Sequence, residues 1–282
     1  MSTSDGLDGL NCVVTGGAQG IGYATALTLA RRRGAVAILD LDGELARHGA
    51  ARITAATGAR ALGIGCDVRA QASVDSAIAQ AVRHLGTVHV LVNNAGIMTP
   101  RLAPVADMAA GDFEDMLSVH VRGTFLCSRA AIPFMERARY GRIINISSVL
   151  GLVGVPFRIG YAAAKTAING ITRSMAVELA RKGVTVNAIA PGYILTDTLR
   201  TRLQEGKLDY ATHAERAPVG RWGLPEEVAH AIAFLALPTS GFITGAVIPV
   251  DGGITIRGDA GEDLGPRPTS MDDVQALFDR NP

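Results

Sequence analysis

The sequence predicts an α/β fold: a doubly wound parallel sheet of seven strands with helices on both faces, built as a single domain. Three observations lead there. Seven short apolar runs alternate with longer stretches rich in Ala, Leu, Glu and Arg, the pattern of strands covered on both faces by crossover helices. The first run ends in a glycine cluster that opens a helix-length segment, as a phosphate-binding turn does. No repeat of solenoid period and no linker interrupts the chain before about residue 255. With 282 residues, 48% of them hydrophobic, one domain can bury a large core.

In chain order, NCVVT (11–15) is the first strand, and alanines and leucines at helical spacing follow over 21–33. Arg31, Arg32 and Arg33 suit the end of that helix, where cations complement the macrodipole. AVAILD (35–40) is the second strand, and Asp42 before Gly43 and Glu44 is the natural cap of the next helix. ALGIGCDV (61–68), VHVLVNNAG (88–96), RIINISS (142–148), GVTVNAIAPG (183–192) and AVIPVDGG (246–253) complete the strands. Long helices are expected at about 111–138 and 160–182. After Arg257 the chain turns rich in Gly, Pro and Asp, so the main domain is set at 1–258 and a C-terminal extension at 259–282. The extension holds one helix-like stretch, MDDVQALF, with Ser270 as N-cap and Asp272 and Asp273 in its first turn. It is expected either to dock on a neighbouring subunit or to be a disordered end.

The formal net charge of +1 gives no electrostatic reason to expect nucleic acid or an acidic partner. No apolar run approaches the ~20 residues that span a bilayer, and MSTSDGLDGL lacks the pattern of a signal peptide. Cys12, Cys66 and Cys127 fit neither a zinc site nor a redox pair. They read as buried thiols of a cytoplasmic protein with no metal.

Thr15 to Gly22 reads TGGAQGIG. Glycines there permit a tight turn and let backbone N–H groups approach a pyrophosphate at the helix N-terminus. Asp40 follows 18 residues after Gly22. A carboxylate at that point accepts from ribose hydroxyls and repels a 2′-phosphate. In YAAAK, Tyr161 and Lys165 stand four residues apart, on one face of a helix and one turn from each other. A free phenol titrates near ~10 and is a poor base at neutral pH. A neighbouring ammonium favours its phenolate. The chain has three lysines beside 24 arginines, so a lysine at this place is a specific choice. Ser147 and Ser148 end the fifth strand, and alternation lets only one face the cleft.

Thr15-Gly16-x-x-x-Gly20-Ile21-Gly22, Asn93-Asn94-Ala95-Gly96, Ser148, Tyr161-x-x-x-Lys165 and Pro191-Gly192, in this order and at these distances, resemble the short-chain dehydrogenase/reductase family in its single-domain form. The resemblance covers roughly residues 6–256. It implies a Rossmann-type fold and a cofactor held by Gly16, Gln19, Gly20, Ile21 and Gly22. Asp67 and Val68 would hold the adenine, Asn93 would line the adenosine ribose, and Pro191, Ile194 and Thr196 would wrap the nicotinamide. Family members that prefer NADP carry a basic residue where this chain has Gln19 or Leu41. With Asp40, this makes NAD the expected cofactor.

The resemblance also selects Ser148 over Ser147 to bind the substrate oxygen. It implies that Tyr161 is the general acid/base and that Lys165 lowers its pKa and holds the nicotinamide ribose. The family's usual Asn, three residues before the glycine of the helix that follows NNAG, is here His120. It is expected either to relay protons, adding an acid-side limb near its ordinary ~6.5, or merely to pack between helices. Residues 149–158, 193–222 and Met98 should form a mostly apolar pocket for a hydrophobic or alicyclic alcohol or ketone. A homotetramer is implied, built on the two long helices and the last strand. Competing readings are a 3-oxoacyl-thioester reductase and a non-catalytic NAD-binding regulator.

Overall fold

Each apolar run becomes a strand. A computed structural model describes residues 6–99, 101–258, 273, 275 and 276. Its strands are β1 (Asn11–Thr15), β2 (Ala35–Asp40), β3 (Ala61–Gly65), β4 (Val90–Asn93), β5 (Gly141–Ile146), β6 (Val184–Pro191) and β7 (Val247–Val250). They pair in parallel in the order β3-β2-β1-β4-β5-β6-β7. Every residue of β1, β4, β5 and β6 is buried. That is why these strands read as continuous apolar runs and not as alternating ones.

The helices are α1 (Gly20–Arg31), α2 (Gly43–Thr57), α3 (Gln71–Leu85), α4 (Ala110–Met116), α5 (Gly123–Ala138), α6 (Ile159–Leu179), α7 (Asp197–Gln204), α8 (Tyr210–Ala214) and α9 (Pro225–Ala236). Asp42 caps α2 as expected, its carboxylate accepting from the Glu44 and Leu45 N–H groups at 3.0 Å each. On one face of the sheet Val14, Val36, Ile38 and Val92 pack with Leu29 of α1 and Ile232 of α9. On the other, Val13, Leu39, Leu91 and Ile143 pack with Ile78 of α3, Met135 of α5 and Leu179 of α6. A third cluster lies outside the sheet, where Leu195, Ala214, Trp222 and Leu224 gather side chains of α7 and α8.

The helix expected over 111–138 is not uniform. Between α4 and α5, Leu117–Arg122 winds as a π-helix, a geometry that tends to mark functional sites. Near the start of β5, the Arg142 guanidinium is buried and donates to the Leu237 and Pro238 carbonyls. These carbonyls close the C-terminal end of α9, where a cation offsets the helix dipole. The expected tail helix falls largely outside the described residues. Asp273, Gln275 and Ala276 are helical and exposed. Among the described residues no helix is long and apolar enough to cross a membrane.

The strand order reverses between β1 and β4. In open α/β sheets that reversal leaves a crevice at the carboxyl ends of the strands, where ligands bind.

Candidate active site

The crevice is real and is built from strand ends. Gly16 follows β1, Asp40 ends β2, Asn94 follows β4, Ser148 follows β5 and Pro191 ends β6, and all of them line one cleft. Thr15 ties two of these ends together: its hydroxyl accepts from the Asn94 and Ala95 N–H groups at 3.0 Å each. The Asn94 amide donates to the Thr15 and Gly16 carbonyls at 3.0 and 2.8 Å.

The glycine turn fits a dinucleotide pyrophosphate on the geometry of this chain alone. Gly16 and Gly20 are left-handed, at φ 59° and 53°. A Cβ on Gly22 would fall 2.0 Å from the Gly16 carbonyl oxygen, so only glycine closes the turn there. Gln19 opens α1 without a side-chain cap bond, and the first turn carries no acid. The leading N–H groups are thus left for an anion. Asp40 stands at the end of the adjacent strand and is anchored, accepting from the Ala18 N–H at 3.1 Å and the Asp42 N–H at 3.3 Å. Thr196 lies across the turn, its methyl facing Gly20.

Asp67, Val68, Gln19, Ile21, Ile194 and Thr196 line the cleft as expected. Asp67 is already engaged: Arg69 pairs with it at 2.9 Å and holds its carboxyl below the usual range. Asn93 departs from expectation. Its side chain faces away from the cleft, donating to Ser128 Oγ at 2.9 Å and Asn145 Oδ1 at 2.8 Å. As the last residue of β4 it points to the core side, and it is Asn94 that reaches the glycine turn.

Ser147 and Ser148 separate cleanly. The Ser147 hydroxyl donates to Asn169 Oδ1 at 2.7 Å and lies 3.2 Å from the Lys165 carbonyl, so it is consumed in fixing α6 to β5. Ser148 Oγ accepts from the Leu150 N–H at 3.2 Å and is close enough to the Tyr161 phenol to lower its pKa. Lys165 is buried on the same helix face. Its ammonium donates to the Ile146 carbonyl at 2.7 Å and lies 5.4 Å from the centre of the Tyr161 ring.

The electrostatics correct the expectation that Lys165 makes Tyr161 acidic in the open site. Burial pushes the Lys165 amine down to about 7. Burial also raises the Tyr161 phenol, outweighing the Ser148 hydrogen bond and the Arg158 charge, which both lower it. Desolvation disfavours both charged forms, and it dominates here.

His120 lies in the π-helical segment. Its ring meets Tyr161 edge-on, at 5.3 Å between centroids and 87° between planes. Nε2 lies 3.0 Å from the Ile97 carbonyl oxygen and 3.3 Å from the Ile97 nitrogen, contacts that favour opposite tautomers, and Nδ1 is buried without a hydrogen-bond partner among the described residues. Burial and the Lys165 charge push its pKa down to about 3. The expected limb near the ordinary histidine value is therefore removed, and His120 is a neutral ring beside the phenol.

Met98, Leu150, Tyr193, Leu199, Leu208 and Trp222 give the cleft an apolar lobe, within the segments the sequence indicated. Trp222 stacks on Tyr210 at 5.9 Å and 14°. A bidentate Arg221–Glu227 pair at 2.8 and 2.7 Å fixes the base of this lobe. Arg158 and Arg202 also line the cleft, and the sequence reading did not single them out. The signal was available for Arg158, three residues before Tyr161 and so on its helix face.

A family model described as enoyl-(acyl carrier protein) reductase matches residues 16–255. A 2-(S)-hydroxypropyl-CoM dehydrogenase of Xanthobacter autotrophicus is 40% identical over 86% of this chain and 95% of its own length. A cis-4-hydroxycyclohexanecarboxylate dehydrogenase of Sinomonas cyclohexanicum is 42% identical over 86% and 95%. Among solved structures, a short-chain type dehydrogenase/reductase from Mycobacterium marinum superposes with a TM-score of 0.82, at 32% identity, covering 90% of this chain and 98% of that one. With the seven-stranded sheet and its glycine turn, these matches over nearly whole chains establish that the protein belongs to the short-chain dehydrogenase/reductase family.

Proposed function

We propose that the protein transfers hydride between NAD and a secondary alcohol or ketone. The observation that carries this is the convergence of the Tyr161 phenol, the Ser148 hydroxyl and the Lys165 ammonium in the cleft that also holds the glycine turn. When bound, the nicotinamide supplies the hydride acceptor or donor. Gly16, Gln19, Ile21 and Gly22 would hold the pyrophosphate, Asp40 the adenosine ribose, and Pro191, Ile194 and Thr196 the nicotinamide.

Tyr161 takes the alcohol proton in oxidation and returns it in reduction. Ser148 donates to the substrate oxygen, fixes it against the phenol and stabilises the charge that develops there. Lys165 holds the nicotinamide ribose. Its ammonium form favours the phenolate through space, and that form must be restored by the occupied site, because the open site disfavours it. His120 positions the Tyr161 ring by its edge contact and its bond to Ile97. The apolar lobe around Trp222 suits a compact alicyclic substrate, the class named for the Sinomonas relative.

A second reading, an acyl-thioester reductase, is favoured by the description of the family model. Asp40 speaks against the NADP such a reaction would use. Val177 on α6 and Phe242 just before β7 are exposed apolar side chains on elements of the implied homotetramer interface, and they support that assembly.

The test is nicotinamide absorbance with a panel of cyclic secondary alcohols, supplied with NAD or NADP. Oxidation with NAD is expected. Alcohol-independent signals with both cofactors would end the proposal, and preferential reduction of a 3-oxoacyl thioester by NADPH would transfer the assignment to the second reading.

A further inference from the structure

The cleft is sharply divided in charge. Its acids, Asp40, Asp67 and Asp115, belong to the adenosine side or face Arg69. The end beyond Tyr161 is lined by Arg158, Arg202 and His213 with no carboxylate. Neither Arg158 nor Arg202 makes an ion pair among the described residues, whereas Arg69 in the same cleft is paired with Asp67. Both are half-buried. A guanidinium partly withdrawn from water with no counter-ion costs stability, and something must offset that cost.

Helix energetics do not account for Arg158. It occupies the N-cap of α6 without a side-chain cap bond, where the helix dipole repels a cation. The residue before it, Phe157, is held in the left-handed region at φ 64°, an unfavourable conformation for a bulky residue. Two local costs thus place one positive charge a turn ahead of Tyr161, close enough for that charge to act on the phenol. Arg202 comes from a different element, the last turn of α7.

We propose that Arg158 and Arg202 form an anion subsite at the substrate end of the cleft, which holds a carboxylate or similar oxyanion of the alcohol while its carbinol meets Ser148 and Tyr161. The proposal rests on the oxidoreductase reading for which end of the cleft receives the alcohol. Planar guanidinium groups bind carboxylates through paired N–H donors, fixing orientation as well as position. The lobe around Trp222 would take the apolar body between the two polar ends. The substrate is then a hydroxy acid or oxo acid with an apolar frame, and not a simple alcohol.

Trp222 is the chain's one tryptophan and lines this end of the cleft, so its fluorescence reports occupancy without turnover. Cyclohexanecarboxylate and the neutral cyclohexanecarboxamide are titrated against the full chain and against Arg158→Gln, Arg202→Gln, Arg158→Lys and Arg202→Lys. The carboxylate is expected to bind at least about tenfold more tightly than the amide, a preference that each Gln variant reduces about tenfold and each Lys variant partly restores. An anion resting at the glycine turn would be indifferent to all four substitutions. Equal binding of the two probes by the unaltered protein, or an unchanged carboxylate preference in both Gln variants, overturns the subsite. If Arg158→Gln does not fold, the Arg202 variants and Arg158→Lys decide. Turnover is read separately with 4-hydroxycyclohexanecarboxylate and its amide. Arginine-dependent carboxylate binding without oxidation of any alcohol leaves the subsite standing and removes the activity reading.

Discussion

Lys165 donates to the Ile146 carbonyl at 2.7 Å, so a cation from the middle of α6 is tied to the end of β5 inside the protein. The folded state holds this amine at about 7, while an unfolded lysine titrates near ~10.4. Between these values the unfolded chain binds more protons than the folded one, so stability rises with pH across that window. From pH 7 to 9 the gain amounts to about 2 kcal/mol. Lys165→Met should lose this gain, read as urea midpoints of both proteins at the two pH values. Parallel midpoints would show that the ammonium is not desolvated.

For His120 the sign is the same, in a lower pH window. Its folded value of about 3 lies below the ordinary ~6.5, so the unfolded chain takes up a proton that the folded one refuses as pH falls through 6.5. Stability should drop by about 2 kcal/mol between pH 7 and 5, and less in His120→Asn. The pH–rate curves of the two proteins should share their shape between pH 5 and 8. A wild-type limb near 6.5 that the variant lacks would restore the titrating relay.

Tyr161→Phe removes one oxygen from a ring whose packing against His120 is kept. Turnover should fall about a thousandfold or more, while nucleotide affinity, measured by fluorescence titration, stays within a factor of about three. Retained turnover would free Tyr161 from its assigned role.

Asp40→Ala acts twice. It removes the charge that disfavours a 2′-phosphate, and it removes the acceptor of the Ala18 N–H beside the glycine turn. NAD should bind more weakly, and the ratio of kcat/KM for NAD to that for NADP should fall by about tenfold or more. A ratio that stays constant while both values fall would assign Asp40 to bracing the turn alone.

All seven strands, the glycine turn and the Asp42 cap were legible because each depends on residues adjacent in the chain. Ser148 was separable from Ser147 only by resemblance, and the reason is now physical: Asn169 and the Lys165 carbonyl occupy Ser147. Asn93 was misplaced because the face taken by the last residue of a strand depends on where the next strand ends. The charges were the least legible. His120 is neutral because it is buried and faces the Lys165 charge, which together outweigh its bond to Ile97, and none of these partners is near it in sequence. Lys165 read as a cation serving its neighbour, because a sequence shows a charge but not the loss of its water. Arg158 and Arg202 were hidden among 24 arginines; what marks them is the lack of a counter-ion, a property of the folded chain.

The wide turn over Leu117–Arg122 makes this helix sensitive to insertion and deletion in a way its composition conceals. A π turn takes up one residue more per hydrogen-bonded ring than an α turn. Deleting a single residue between Leu117 and His120 would let the segment relax to regular α geometry. Everything on its N-terminal side would then rotate by about 100° against α5. His120 would keep its place in the chain order but lose its bearing on Tyr161, and the face of α4 now laid against α6 would turn outward. The segment is a phase setting between two halves of one rod, and substitution within it should be tolerated far better than any change of its length.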